Sequence, residues 1–132
     1  EGSIIVWNKA FEGTQNKRMG EIHPTYNSFC ESMNSRLYDL MDIFRDGLYA
    51  DPICKGSYSI KQILPALVPE LSYHDMEIGD GATAMSSWKE MVFSDIQETE
   101  KIKIKNNLLK YCELDTLAMV KIYEFLKSKL YS

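Results

Sequence analysis

The sequence predicts a helix-rich α/β fold, and three features predict it: a β-branched apolar run at the start of the chain, a second short apolar run near residue 37, and about five segments with helical spacing. Ser3 to Trp7, SIIVW, is apolar at nearly every position, the composition of a buried strand. From Asn8 the pattern changes to NKAFEGTQNKRMGEIH, where Ala10, Phe11 and Met19 sit among polar residues and Asn8 is a suitable helix N-cap. A strand, a tight turn and a helix are expected in that order. Pro24 opens a second helix through about Arg36, with Tyr26, Phe29, Cys30 and Met33 at helical spacing. Leu37-Tyr38-Asp39 reads as a second short strand that runs into Leu40 to Arg45, and Asp46-Gly47 stops that segment.

Residues 50–58, ADPICKGSY, carry Pro52 and Gly56 and read as a surface loop. Ser59 is placed to cap a helix from Ile60 to Val68, whose distortion and end are marked by Pro65 and Pro69. Residues 72–81, SYHDMEIGDG, are turn-rich, and a helix from about Ala82 to Val92 follows with Met85, Trp88 and Met91 three apart. After Ser94, a cap candidate, the longest periodic segment runs from about Ile96 to Leu130. Its apolar stripe is expected along Leu108, Leu109, Cys112, Val120, Tyr123, Leu126 and Leu130.

The 132 residues leave room for one domain, and 45% apolar with 26% charged residues is the balance of a chain with a core. No apolar run approaches the roughly 18 residues of a membrane span, and the start of the chain lacks the flanks of a signal peptide. No membrane association is expected. Cys30, Cys54 and Cys112 are odd in number and far apart, which argues against a disulfide framework or zinc ribbon and for reduced thiols in the cytoplasm. A net charge of -4 and a pI near 5.2 argue against nucleic-acid binding by bulk charge, while leaving room for carboxylates that hold metal.

A pair of short strands is marginal without cover, and SIIVW has the composition of a central strand with neighbours on both sides. The strands that would supply those neighbours are not evident. Residues 1–132 are therefore expected to form a single partial domain, the C-terminal portion of a larger α/β domain.

Two local patterns carry chemistry. Tyr111 and Asp115 are four apart, so on a helix a phenol and a carboxylate share one face about one turn apart. A metal-binding carboxylate with a phenol that orients a water is a workable arrangement for phosphodiester hydrolysis. Packing of the Tyr111 ring with a solvated Asp115 explains the same spacing. The second pattern, Val6-Trp7-Asn8-Lys9-Ala10-Phe11-Glu12, puts Asn8 and Glu12 after the first strand, where open α/β sheets build their sites. Helix capping by Asn8 and a favourable Glu12 charge at the positive helix end account for it equally.

Together the two patterns resemble the DEDD superfamily of 3′-5′ exonucleases, which share a ribonuclease H-like fold. Asn8-Lys9-Ala10-Phe11-Glu12 resembles that superfamily's second motif, and Tyr111-Cys112-Glu113-Leu114-Asp115 resembles the third motif of its tyrosine-bearing branch. The chain is similar, more closely, to an uncharacterised bacterial family often fused to other nuclease-like regions. That likeness rests on the Trp7 to Glu12 segment and on Gly56-Ser57-Tyr58-Ser59-Ile60-Lys61 with Leu64-Pro65-Ala66-Leu67-Val68-Pro69. The resemblance implies a partial ribonuclease H-like fold lacking its first strands, and metal-dependent hydrolysis of nucleic acid with Mg²⁺ or Mn²⁺. It implies Glu12 and Asp115 as metal-binding carboxylates, Tyr111 as the residue that orients the attacking water, and Asn8 and Phe11 as residues near the substrate.

Two departures bear on that reading. The superfamily has Asp where this chain has Glu12, and its first motif, Asp-x-Glu on an earlier strand, has no counterpart in the seven residues before Asn8. Two divalent ions about 4 Å apart need several oxygen ligands. The chain alone is therefore expected to have little or no catalytic activity, and its uncovered sheet edge is expected to invite a homodimer. The competing expectation is a non-catalytic interaction or nucleic-acid-binding module on the same framework. Asp39 and Asp42 follow the second strand but read equally well as a solvated helix start. His23 and His74 lack metal-ligand spacing, and Lys101, Lys103, Lys105 and Lys110 read as a solvated helix face.

Overall fold

The computed structural model describes residues 2–130, which fold as two compact units, residues 2–66 and residues 67–130. The first unit is a β-α-β unit. Strand β1 (Ile4–Val6) is followed by helix α1 (Lys9–Ile22), a 3-10 turn at Pro24–Tyr26, helix α2 (Asn27–Ser35) and strand β2 (Leu37–Asp39). The two strands pair in parallel with Ile4 opposite Leu37 and Val6 opposite Asp39, as the helical crossover between them requires. Val6, Leu37 and Leu40 are buried, whereas Ile4, Ile5 and Trp7 are half-buried, so the run expected as a buried strand is covered at Val6 and only partly covered along the rest.

Asp39 holds the carboxyl ends of both strands together. It is only 6% exposed, and its carboxylate accepts three backbone N–H groups: Oδ1 from Asn8 at 3.0 Å and Met41 at 3.1 Å, Oδ2 from Lys9 at 2.7 Å. Two of those donors open α1, where orphan N–H groups and the helix dipole favour a negative charge. Of the two readings open for Asp39, the position at the sheet end holds and the solvated helix start does not: the carboxylate is buried because it closes the turn between β1 and α1. Asn8 accommodates that turn in the left-handed region, at φ 75°, a conformation its short polar side chain tolerates.

Helices α1 and α2 pack closely through small and amide side chains. Asn34 donates to the Gly13 carbonyl at 3.0 Å and accepts from Asn16 at 2.9 Å. At Gly20 a Cβ would lie 2.6 Å from Asn27 Oδ1 and 3.2 Å from Asn27 Cα, so the crossing needs glycine there. Only Cys30 of the four apolar residues expected on the α2 face is fully buried, while Tyr26 and Phe29 project outward. Helix α3 (Asp42–Arg45) is a single turn that ends at Gly47, whose φ of 71° supplies the left-handed cap the sequence predicts. A 3-10 turn at Pro52–Cys54 interrupts the expected loop, and helix α4 (Ile60–Leu67) follows with Ile63 and Leu64 buried.

The second unit is built on helix α5 (Gly81–Phe93) and the 33-residue helix α6 (Glu98–Leu130). Asp80 caps α5 by accepting from Thr83 N–H at 2.8 Å. Ser94 closes α5, with its N–H on the Glu90 carbonyl, and the first α6 bonds come from the Gln97 carbonyl, which corrects Ser94 as the cap of α6. The expected apolar stripe of α6 is also corrected in phase. Ile104, Ala118 and Ile122 are buried with Leu108, Tyr111 and Asp115 half-buried on the same face, whereas Leu109, Cys112, Val120, Tyr123 and Leu130 are exposed. No helix among the described residues is long and apolar enough to cross a membrane.

Replacing Asp39 with alanine leaves three backbone donors without their acceptor. We expect Asp39→Ala to destabilise the protein by about 3 kcal/mol in urea unfolding, with Asp39→Asn intermediate. A change below about 1 kcal/mol for Asp39→Ala would sink the bracing role.

Candidate functional site

The candidate residues fall into two groups, one in each unit. In the first unit, Asn8 and Glu12 lie where β1 hands over to α1, at the carboxyl end of the parallel strands. Asn8 Oδ1 accepts from the Phe11 N–H at 3.2 Å, so Asn8 does cap the helix, and the Glu12 N–H bonds the Asn8 carbonyl at 3.2 Å. Glu12 is half-buried in the first turn of α1, where its charge complements the positive helix end. Phe11 is 54% exposed, an apolar ring turned to solvent beside these polar groups.

In the second unit, Asp115 is held by a phenol. Tyr73, 5% exposed, donates its hydroxyl to Asp115 Oδ1 at 2.7 Å, and Tyr111 stands one turn before Asp115 on the same half-buried face of α6. The two rings lie 6.2 Å apart, centroid to centroid. Burial raises the pKa of Tyr73 and the hydrogen bond to the Asp115 carboxylate raises it further; for Tyr111, burial comes first and the negative charge of Asp115 second, with Asp80 adding a smaller push. A Cβ at Gly81 would lie 3.9 Å from the Tyr111 hydroxyl, which places the start of α5 beside this phenol. Both tyrosines are neutral donors at physiological pH, and neither serves as a base there.

Tyr73 was not legible as a partner. It lies in the turn-rich segment 72–81, where no periodicity marks a buried residue, and only its side-chain geometry reveals that it bonds Asp115. The lysine row on α6 behaves as a solvated face, with Lys103 paired to Glu77 at 3.4 Å and Asn107 bonding the same carboxylate. His74 is exposed, 3.3 Å from Asp75.

The donors present do not make a divalent-metal site by themselves. Asp115 brings one carboxylate that already accepts the Tyr73 hydroxyl, and among the described residues no three His, Cys, Asp or Glu side chains are grouped to hold an ion. Mg²⁺ and Mn²⁺ require several oxygen ligands in a set geometry, so any such site needs carboxylates beyond these.

Residues 1–59 match the model of a domain of unknown function, DUF2779. That match fits the likeness to an uncharacterised bacterial family carried by the Trp7 to Glu12 segment. The chain is 30% identical to an uncharacterized protein of Ureaplasma parvum over 96% of its own length and 21% of that protein. It is 28% identical to an uncharacterized protein of Mycoplasma pneumoniae over 95% of its own length and 20% of that one, and 26% identical to one of Mycoplasma genitalium over 95% and 20%. The chain therefore spans about a fifth of the length of the curated relatives it matches. No solved structure matches it.

The raised phenols set an alkaline limit. A group whose pKa is raised on folding stabilises fully below its unfolded value, about 10 for tyrosine, and loses that contribution as pH climbs toward the folded value. Stability should therefore fall above about pH 10, with a shallower slope in the Tyr73→Phe, Tyr111→Phe double variant. At neutral pH, Tyr73→Phe should cost about 1–2 kcal/mol in thermal or urea unfolding. An unchanged alkaline slope in the double variant would remove the two phenols from the account.

Proposed function

We propose that this chain supplies part of a metal-dependent 3′-5′ exonuclease with a ribonuclease H-like fold, whose reaction in a longer protein is hydrolysis of a phosphodiester by water. The observation that carries the reading is the Tyr111 and Asp115 pair: phenol and carboxylate one turn apart on a half-buried helix face, with the negative charge of Asp115 raising the pKa of Tyr111. The placement of Asn8 and Glu12 at the carboxyl end of parallel strands supports it. In this reading Glu12 and Asp115 are each a metal-binding carboxylate that works with carboxylates from elsewhere in the longer protein, where Mg²⁺ or Mn²⁺ would supply Lewis-acid stabilisation and an activated water. Tyr111, kept protonated by burial and by the charge of Asp115, is the residue that orients that water. Asn8 keeps the turn rigid while Phe11 offers an exposed ring to the substrate.

The donor count favours a second reading for the chain taken alone, a binding or assembly module without chemistry. Its open sheet edge suits that role: the parallel register turns the Ile5 backbone N–H and C=O away from β2, toward a further strand or a second copy of the chain.

Release of nucleotides from a 5′-labelled single strand in Mn²⁺ separates the two. A longer relative carrying an Asp-x-Glu strand should trim from the 3′ end, while this chain should not. The Asp115→Ala form of the longer protein should lose more than about a hundredfold, beyond the loss typical of residues that only support a metal ligand. If no form cuts any strand offered, the exonuclease reading fails and the binding module stands.

A further inference from the structure

We propose that a cavity at the carboxyl end of the two-stranded sheet binds a nucleobase of single-stranded nucleic acid, stacked against Trp7 and Tyr58. The inference rests on the nucleic-acid substrate proposed above and names the part of it that this chain recognises. The cavity measures about 310 Å³ and lies wholly within the first unit. That is the small end of the roughly 300–1,000 Å³ of ligand pockets, and enough for one base with its sugar.

Its lining decides the class of ligand. Trp7, Tyr58 and Met41 supply the apolar walls, Asn8, Ser57 and Ser59 the polar rim, and no lysine or arginine is among the lining residues. The positive end of α1 nearby is already occupied by the Asp39 carboxylate. A phosphate therefore finds neither cation nor free helix end here, whereas a neutral planar ring finds two aromatic side chains. Asn8 spends its oxygen on the Phe11 N–H, and its amide nitrogen has no partner among the described residues, so it can donate to the edge of a stacked base. The larger cavity, about 540 Å³ between α1 and α2, opposes Lys9 and Lys17 with Glu21 and Glu31 and selects no charge.

The walls are built rather than incidental. Trp7 is backed by Phe44 at 5.6 Å between centroids, and Phe44 by the edge of Tyr49 at 5.9 Å. On the opposite strand of chain, Lys55 and Gly56 take successive left-handed conformations, and the Ser57 N–H bonds the Cys54 carbonyl at 2.8 Å. The Ser59 N–H then bonds the Ser57 hydroxyl oxygen at 3.2 Å, which fixes the turn that presents Tyr58, itself 48% exposed. A base inside a duplex has its faces covered by its neighbours, so a stacking pocket of this size selects single strands.

Trp7 reports the binding directly. With Trp88→Phe it is the sole tryptophan, and its fluorescence should be quenched on titration with a short thymidine oligonucleotide in the absence of metal. Tyr58→Leu should weaken binding about tenfold, Tyr58→Phe should restore it, and an abasic strand of equal length should bind at least about tenfold less tightly. Circular dichroism establishes that each variant is folded. Absent quenching, binding indifferent to Tyr58→Leu, or equal binding of the abasic strand would each overturn the proposal. The readout is independent of hydrolysis: base-dependent quenching without nuclease activity keeps the pocket and removes the exonuclease, and nuclease activity without quenching does the reverse.

Discussion

Asp39 is the interaction on which the first unit depends. Parallel strands cannot be joined by a tight turn, so the chain must leave β1, cross through α1 and α2 and return in register, and something must hold the two carboxyl ends together. A single buried carboxylate does so by accepting N–H groups from Asn8, Lys9 and Met41, which belong to the ends of both strands. Each accepted N–H is a charge-assisted bond in a site with little water, where an ionised acceptor is worth most and an empty one costs most. The candidate residues Asn8 and Glu12 and the aromatic cavity beside them are placed by this one closure.

The second unit solves a different problem with the same kind of device. Helix α6 presents to its packed face a carboxylate, Asp115, among Ile104, Ala118 and Ile122, and a polar group there must be hydrogen-bonded to be tolerated. Tyr73 meets that need from the loop, and the carboxylate in turn keeps Tyr73 and its neighbour Tyr111 protonated.

Much of the first unit was legible. The first strand stands out as a β-branched run and the second as a short segment at Leu37-Tyr38-Asp39, Asn8 as a helix cap and Gly47 as a stop, and the two helices between the strands follow from Pro24 and the caps. The phase of α6 was harder. Its 33 residues carry apolar side chains on more than one face, so Leu109, Val120 and Tyr123 fit a stripe as well as Ile104 and Ala118 do, and only packing chooses between them. Ser94 misled because a hydroxyl suits either side of a helix boundary. Tyr73 and Asp39 were hidden for a shared reason: each is a polar or amphipathic residue in a short segment, and its burial depends on partners 42 and about 30 positions away.

The sequence by itself determined the β-α-β order, the helical bulk of the chain, the Tyr111 to Asp115 spacing and the turn at Asn8, because all of these are local: propensity, period and backbone tolerance act over a few residues. Only the tertiary structure decided which acid is buried as a brace, which tyrosine completes the Asp115 cluster, and that Trp7 and Tyr58 wall one cavity. Those outcomes join residues far apart in the chain, and their energies come from desolvation and from hydrogen bonds that exist only once the segments have met.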